Sequence, residues 1–83
     1  MKYLPIGTVV TLVNGTKPIM IYGRKQMQQG KEQIWDYVAC LYPEGNIGDE
    51  YNIFFQHEEI VNIHHLGMES ADESRLQEIL NRV

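Results

Sequence analysis

Gly7-Thr8-Val9-Val10-Thr11-Leu12-Val13-Asn14-Gly15, residues 7–15, runs a β-branched segment straight into the strongest short hairpin signal. Asparagine and glycine both tolerate positive φ, so the first strand turns there and the chain begins as a β fold. Its partner is Ile19-Met20-Ile21-Tyr22-Gly23, entered through Pro18, where a missing N–H does least harm to the ladder. The stretch from Gly23 to Lys31 is polar, basic and bounded by glycines, and reads as an exposed hairpin loop.

Working outward, Ile34-Trp35-Asp36-Tyr37-Val38-Ala39-Cys40-Leu41-Tyr42 is the longest strand candidate. Asp36 puts one face of its early part in water, which leaves Trp35, Tyr37, Ala39 and Leu41 for the core side. Pro43-Glu44-Gly45-Asn46 supplies a proline and a glycine for the next turn. After the aromatic pair Phe54-Phe55, the polar Gln56-His57-Glu58-Glu59 is too short for a full helix and suits one 3₁₀ turn into a last strand, Ile60 to Leu66. Ser70-Ala71-Asp72-Glu73 is a capping box, followed by Leu76, Ile79, Leu80 and Val83 at helical spacing. That amphipathic helix is marginal alone, so its apolar stripe must lie on the strands or on a partner. The expectation is a mainly β (α+β) domain: residues 1–67 form a small SH3-like five-stranded open barrel, and residues 68–83 form a C-terminal helix of the same domain.

An 83-residue chain holds one core and is a poor host for a deep substrate cleft. Hydrophobic and charged fractions of 43% and 22% are those of a folded domain rather than a disordered one. No apolar run reaches membrane length, and the N-terminus meets Pro5 and Gly7 before a signal-peptide core could form. Cys40 is the single cysteine, placed in an apolar run where a thiol acts as a small hydrophobe; with no disulfide to form, a cytoplasmic location is expected. Residues 1–31 hold five cations and no acid, and residues 32–83 hold two cations and eleven acids, so the halves carry +5 and −9. The net charge of −4 argues against general nucleic-acid binding.

Little in the sequence supports chemistry. His57, His64 and His65 suggest a metal, but adjacent strand residues point to opposite faces and no second cysteine completes a tetrahedral set. His57-Glu58-Glu59 lacks a nucleophile with a supporting base, and capping of the short turn is the simpler role. No phosphate-binding glycine loop occurs. No enzyme, cofactor or metal is therefore expected. The aromatics must mostly fill the core, with Tyr22 and Tyr42 the candidates for exposure.

Tyr3-Leu4-Pro5-Ile6-Gly7-Thr8-Val9-Val10, Met20-Ile21-Tyr22-Gly23-Arg24, Trp35-Asp36-Tyr37-Val38, Tyr42-Pro43-Glu44-Gly45 and Phe54-Phe55-Gln56-His57-Glu58-Glu59-Ile60 occur in that order. Over residues 3–66 this set resembles the family of domains of unknown function numbered 4176, from low-GC Gram-positive bacteria; the loop from Gly23 to Gln33 and the C-terminal helix lie outside the resemblance. Genes of that family stand beside type VII secretion genes and toxins with the LXG N-terminal domain. The resemblance implies a non-catalytic adaptor or chaperone whose partner is another protein, an LXG-type toxin or a secretion component.

The residues expected to meet that partner are Tyr22, Arg24 and Lys25, Tyr42, and on the helix Leu76, Ile79 and Leu80, together with any free sheet edge. A homo-oligomer is compatible with the same features. Two further readings are a nucleic-acid-binding SH3-like module using Lys17, Arg24, Lys25 and Lys31, and an immunity protein that neutralises the toxin.

Overall fold

A computed structural model of the chain describes residues 1–83. In chain order the elements are β1 (Val9–Leu12), β2 (Ile19–Met27), β3 (Ile34–Leu41), a 3₁₀ turn (Asp49–Tyr51), β4 (Ile53–Phe55), a second 3₁₀ turn (His57–Glu59), β5 (Ile60–His65) and α1 (Ala71–Arg82). The strands form one antiparallel sheet in the order β4-β3-β2-β1-β5. The sheet is unclosed, and the second 3₁₀ turn carries the chain from one edge to the other, giving the expected mainly β plan of five strands and a C-terminal helix.

Alternation along the strands selects the core. Val10, Ile19, Ile21, Tyr37, Ala39 and Phe55 point inward with Tyr3 from the N-terminal segment, and Leu4, Leu12, Leu41, Ile53, Ile60 and Leu80 pack around them. Tyr37 stacks on Phe55 at 5.2 Å between ring centroids and meets Tyr3 edge-on at 6.0 Å, both within the usual range for aromatic pairs. Of the residues expected on the core face of β3, Trp35 is only half-buried because β3 outruns the core at that end. Cys40 is a buried free thiol on the opposite face.

The expected loop from Gly23 to Lys31 needs correction. β2 continues to Met27 and pairs with β3 as far as Met27 and Ile34, across a register shift between Ile21 and Gly23. Gly23 permits the shift, since a Cβ there would lie 2.7 Å from Val38 Cγ1. The actual loop falls after Met27, where Lys31 N–H donates to Gln28 O at 3.0 Å. Polarity misleads here because this half of β2 runs beneath a helix that presents polar side chains to it, as described below.

At the junction of β5 and α1, Gly67 is packed against the first turn of the chain. Its N–H donates to Thr8 Oγ1 at 3.0 Å, and a Cβ there would stand 2.1 Å from Ile6 O. Ser70 then caps α1 by accepting from Glu73 N–H at 3.1 Å. The helix is not long and apolar enough to cross a membrane.

Candidate functional site

The His57-Glu58-Glu59 segment is structural. Glu59 Oε2 accepts from Gln56 N–H and Asp36 Oδ2 accepts from His57 N–H, each at 2.8 Å, which ties the 3₁₀ turn to itself and to β3. The Tyr37 hydroxyl accepts from Leu4 N–H at 2.9 Å and lies 2.7 Å from His57 Nδ1. Directing the hydroxyl proton at Nδ1 satisfies both groups and leaves the imidazole hydrogen on Nε2. Burial raises the Tyr37 hydroxyl to about 12, with the Leu4 N–H opposing the shift. His64 Nε2 is held at 2.6 Å by Thr11 Oγ1, and no three histidine, cysteine or carboxylate side chains converge on a metal position.

The seam between α1 and the sheet decides where the predicted partner residues go. Arg24 is 8% exposed and forms a two-pronged pair with Glu73, its Nη2 donating to Oε1 at 2.9 Å and its Nη1 to Oε2. That guanidinium hydrogen bond holds the Glu73 carboxyl below its usual range, against the opposing effect of burial. Gln77 pairs with the Tyr3 backbone like a neighbouring strand, accepting from its N–H at 2.9 Å and donating to its carbonyl at 2.6 Å. Lys25 Nζ caps the helix C-terminus on Leu80 O at 2.7 Å and on Val83 O. Leu80 is the helix's apolar contact with the core.

The basic surface expected at Arg24 and Lys25 is therefore absent, because both cations are spent holding α1 in place. Leu80 is likewise an internal contact. The apolar stripe of the helix divides: with Glu73 and Gln77 facing the sheet, Leu76 (39%), Ile79 (48%) and Val83 (77%) are left in water. Among the cations offered for nucleic acid, Lys17 pairs with Glu44 at 2.9 Å, Arg24 pairs with Glu73, Lys25 is held by backbone carbonyls, and Lys31 alone has no hydrogen-bond or ion-pair partner for its ammonium group.

Tyr22 and Tyr42 are both exposed, at 38% and 46%. They lie on the outer face of the sheet, since Met20 and Tyr22 alternate with core residues of β2, and Cys40 and Tyr42 continue the outward positions of β3. Tyr42 joins Val9, Met20, Gly7, His64 and His65 around a shallow depression of about 470 Å³. The turn behind it contains a cis Tyr42–Pro43 bond and Gly45 at φ 81°. Periodicity signals this face only weakly, because Val9, Val38 and Cys40 make it as apolar in sequence as the core.

The family model described as "Domain of unknown function (DUF4176)" matches residues 3–76. The match runs through the β2–β3 connection and into α1 as far as Leu76, so neither lies outside the family pattern as the motifs alone suggest. No curated protein and no solved structure matches the chain.

Proposed function

We propose that this chain, which belongs to the family of domains of unknown function 4176, is a non-catalytic protein-binding module that escorts an exported LXG-type effector inside the cytoplasm before type VII secretion. One observation carries the reading. Sixteen large apolar residues are exposed, and several of them share one element or one face of the sheet. They include Tyr22 and Tyr42 on the outer face, Val61 and Ile63 on β5, and Leu76 and Ile79 on α1. Exposed aromatics beside apolar depressions are the usual anchors of protein interfaces.

Side-chain use points the same way. His57, Asp36 and Glu59 are engaged in the turn before β5, and Arg24, Lys25 and Glu73 in the helix seam. The test is co-expression with an LXG-type effector: purification through a tag on this chain should bring the effector down in constant proportion. A chain that purifies alone next to a soluble, folded effector would refute the escort role.

A further inference from the structure

Both edges of the sheet are open, and they differ. β4 has three residues, too few to template another strand. β5 has six, and from Ile60 to Leu66 it contains no charged residue and no proline, the usual means by which natural edges are blunted. Two register shifts against β1 bend it and are its one protective feature. β5 bonds to β1 on one side only. No other backbone bond in the chain, and no side chain, uses a main-chain group between Val61 and Leu66.

Beside this free edge lies a groove of about 480 Å³ lined by Leu4, Ile60, Val61 and Ile63, with His57, Glu58 and Asn62 completing its wall. Val61 and Ile63 are 54% and 52% exposed, and Leu66 continues the strip at 48%. Glu58 is the only carboxylate lining this groove, and the chain as a whole is acidic. Eleven acids less the four in ion pairs, Glu44, Glu69, Asp72 and Glu73, leaves seven without a cation, Glu58 among them. A second copy of a chain with net charge −4 would meet this edge with the same sign, so charge selects a different, basic occupant.

We infer that β5 accepts an extended segment of the partner as a sixth strand, with alternate apolar side chains in the Leu4–Ile63 groove and a lysine or arginine beside Glu58. The inference rests on the protein-binding reading and specifies its mode. Backbone pairing supplies affinity with little demand on sequence. The groove selects the apolar face, and Glu58 selects the charge.

The probe is a synthetic peptide alternating valine with lysine, compared with one alternating valine with glutamate and with the lysine peptide N-methylated along one edge. Amide NMR and hydrogen exchange of the full chain give the readout. At saturation the lysine peptide should slow exchange at amides between Val61 and Leu66 about fivefold or more, the worth of one net backbone hydrogen bond, while the other two peptides bind more weakly. Ile63→Lys should abolish this protection, and Glu58→Gln, at an exposed position, should weaken the lysine peptide by about two- to fivefold.

The inference is overturned if the lysine peptide does not bind, if its effects map to Met20 and Tyr42 instead, or if Val61 to Leu66 become protected by self-association without peptide. Retention of the effector by both wild type and Ile63→Lys overturns the edge and spares the escort role. Loss of the effector from both, with the lysine peptide still protecting β5, overturns the escort role and supports the edge.

Discussion

Replacing Tyr37 with phenylalanine removes one oxygen from the centre of the molecule and leaves the ring, so its stacking on Phe55 and its edge contact with Tyr3 persist. What disappears is the acceptor for Leu4 N–H and the partner of His57 Nδ1. Tyr37 is fully buried, so the Leu4 donor is left facing an apolar ring, at a cost of about 1–3 kcal/mol. His57 is half-buried and can turn to water, which places the expected loss at about 1–2 kcal/mol. A domain of this size has on the order of 5 kcal/mol to lose, and its melting temperature should fall by about 4–16 °C. Urea unfolding of Tyr37→Phe should show a lower midpoint at unchanged slope, with faster exchange at the Leu4 amide. A loss below about 0.5 kcal/mol with the Leu4 amide still protected would refute the claim that this hydroxyl pins the N-terminal segment.

The same hydroxyl predicts an alkaline limit. Its pKa is raised from 10.0 to about 12 on folding, so its contribution is complete below pH 10 and is lost as pH rises toward 12; the loss should be reduced in Tyr37→Phe. Glu73 behaves in the opposite sense. Its folded pKa lies below 4.5, so its stabilisation is present above that value and fades as pH falls through the folded pKa, and the stability gap between wild type and Glu73→Gln should close over the same acid range. Along α1, Leu80→Ala should cost about 1–2 kcal/mol in urea unfolding as a partly buried core contact, while Leu76→Ala and Ile79→Ala should stay within about 0.5 kcal/mol. Tyr42→Ala should leave stability almost unchanged and weaken effector binding by about 30-fold if Tyr42 is an anchor, as titration calorimetry would read.

Strands whose side chains face an apolar core were legible in the sequence, as was the helix with its Ser70 cap. The His57–Glu59 turn was legible because its polar residues are too few for a helix and too acidic for a strand. The second half of β2 was not, since Arg24 and Lys25 resemble loop residues until Glu73 and the carbonyls of Leu80 and Val83 arrive from the far end of the chain. For the same reason the candidate surface was legible only in part. Exposure of Tyr42 was legible from its place beside the Pro43 turn, and Tyr22 is exposed within β2 rather than beside a loop, whereas the division of the helical stripe into Leu80 inside and Leu76 and Ile79 outside depends on a polar seam that periodicity does not record. The free edge of β5 depends on sheet order, which local sequence does not contain.

The central proposal, that this domain acts through its exposed surface on another protein, is tested most directly by amide hydrogen exchange of the chain alone and mixed with an LXG-type effector. The account predicts a stable complex with added protection at β5, on the outer face around Tyr42, or along the outward side of α1, and no change at core positions such as Ile21 and Ala39. An exchange pattern identical with and without the effector would contradict it.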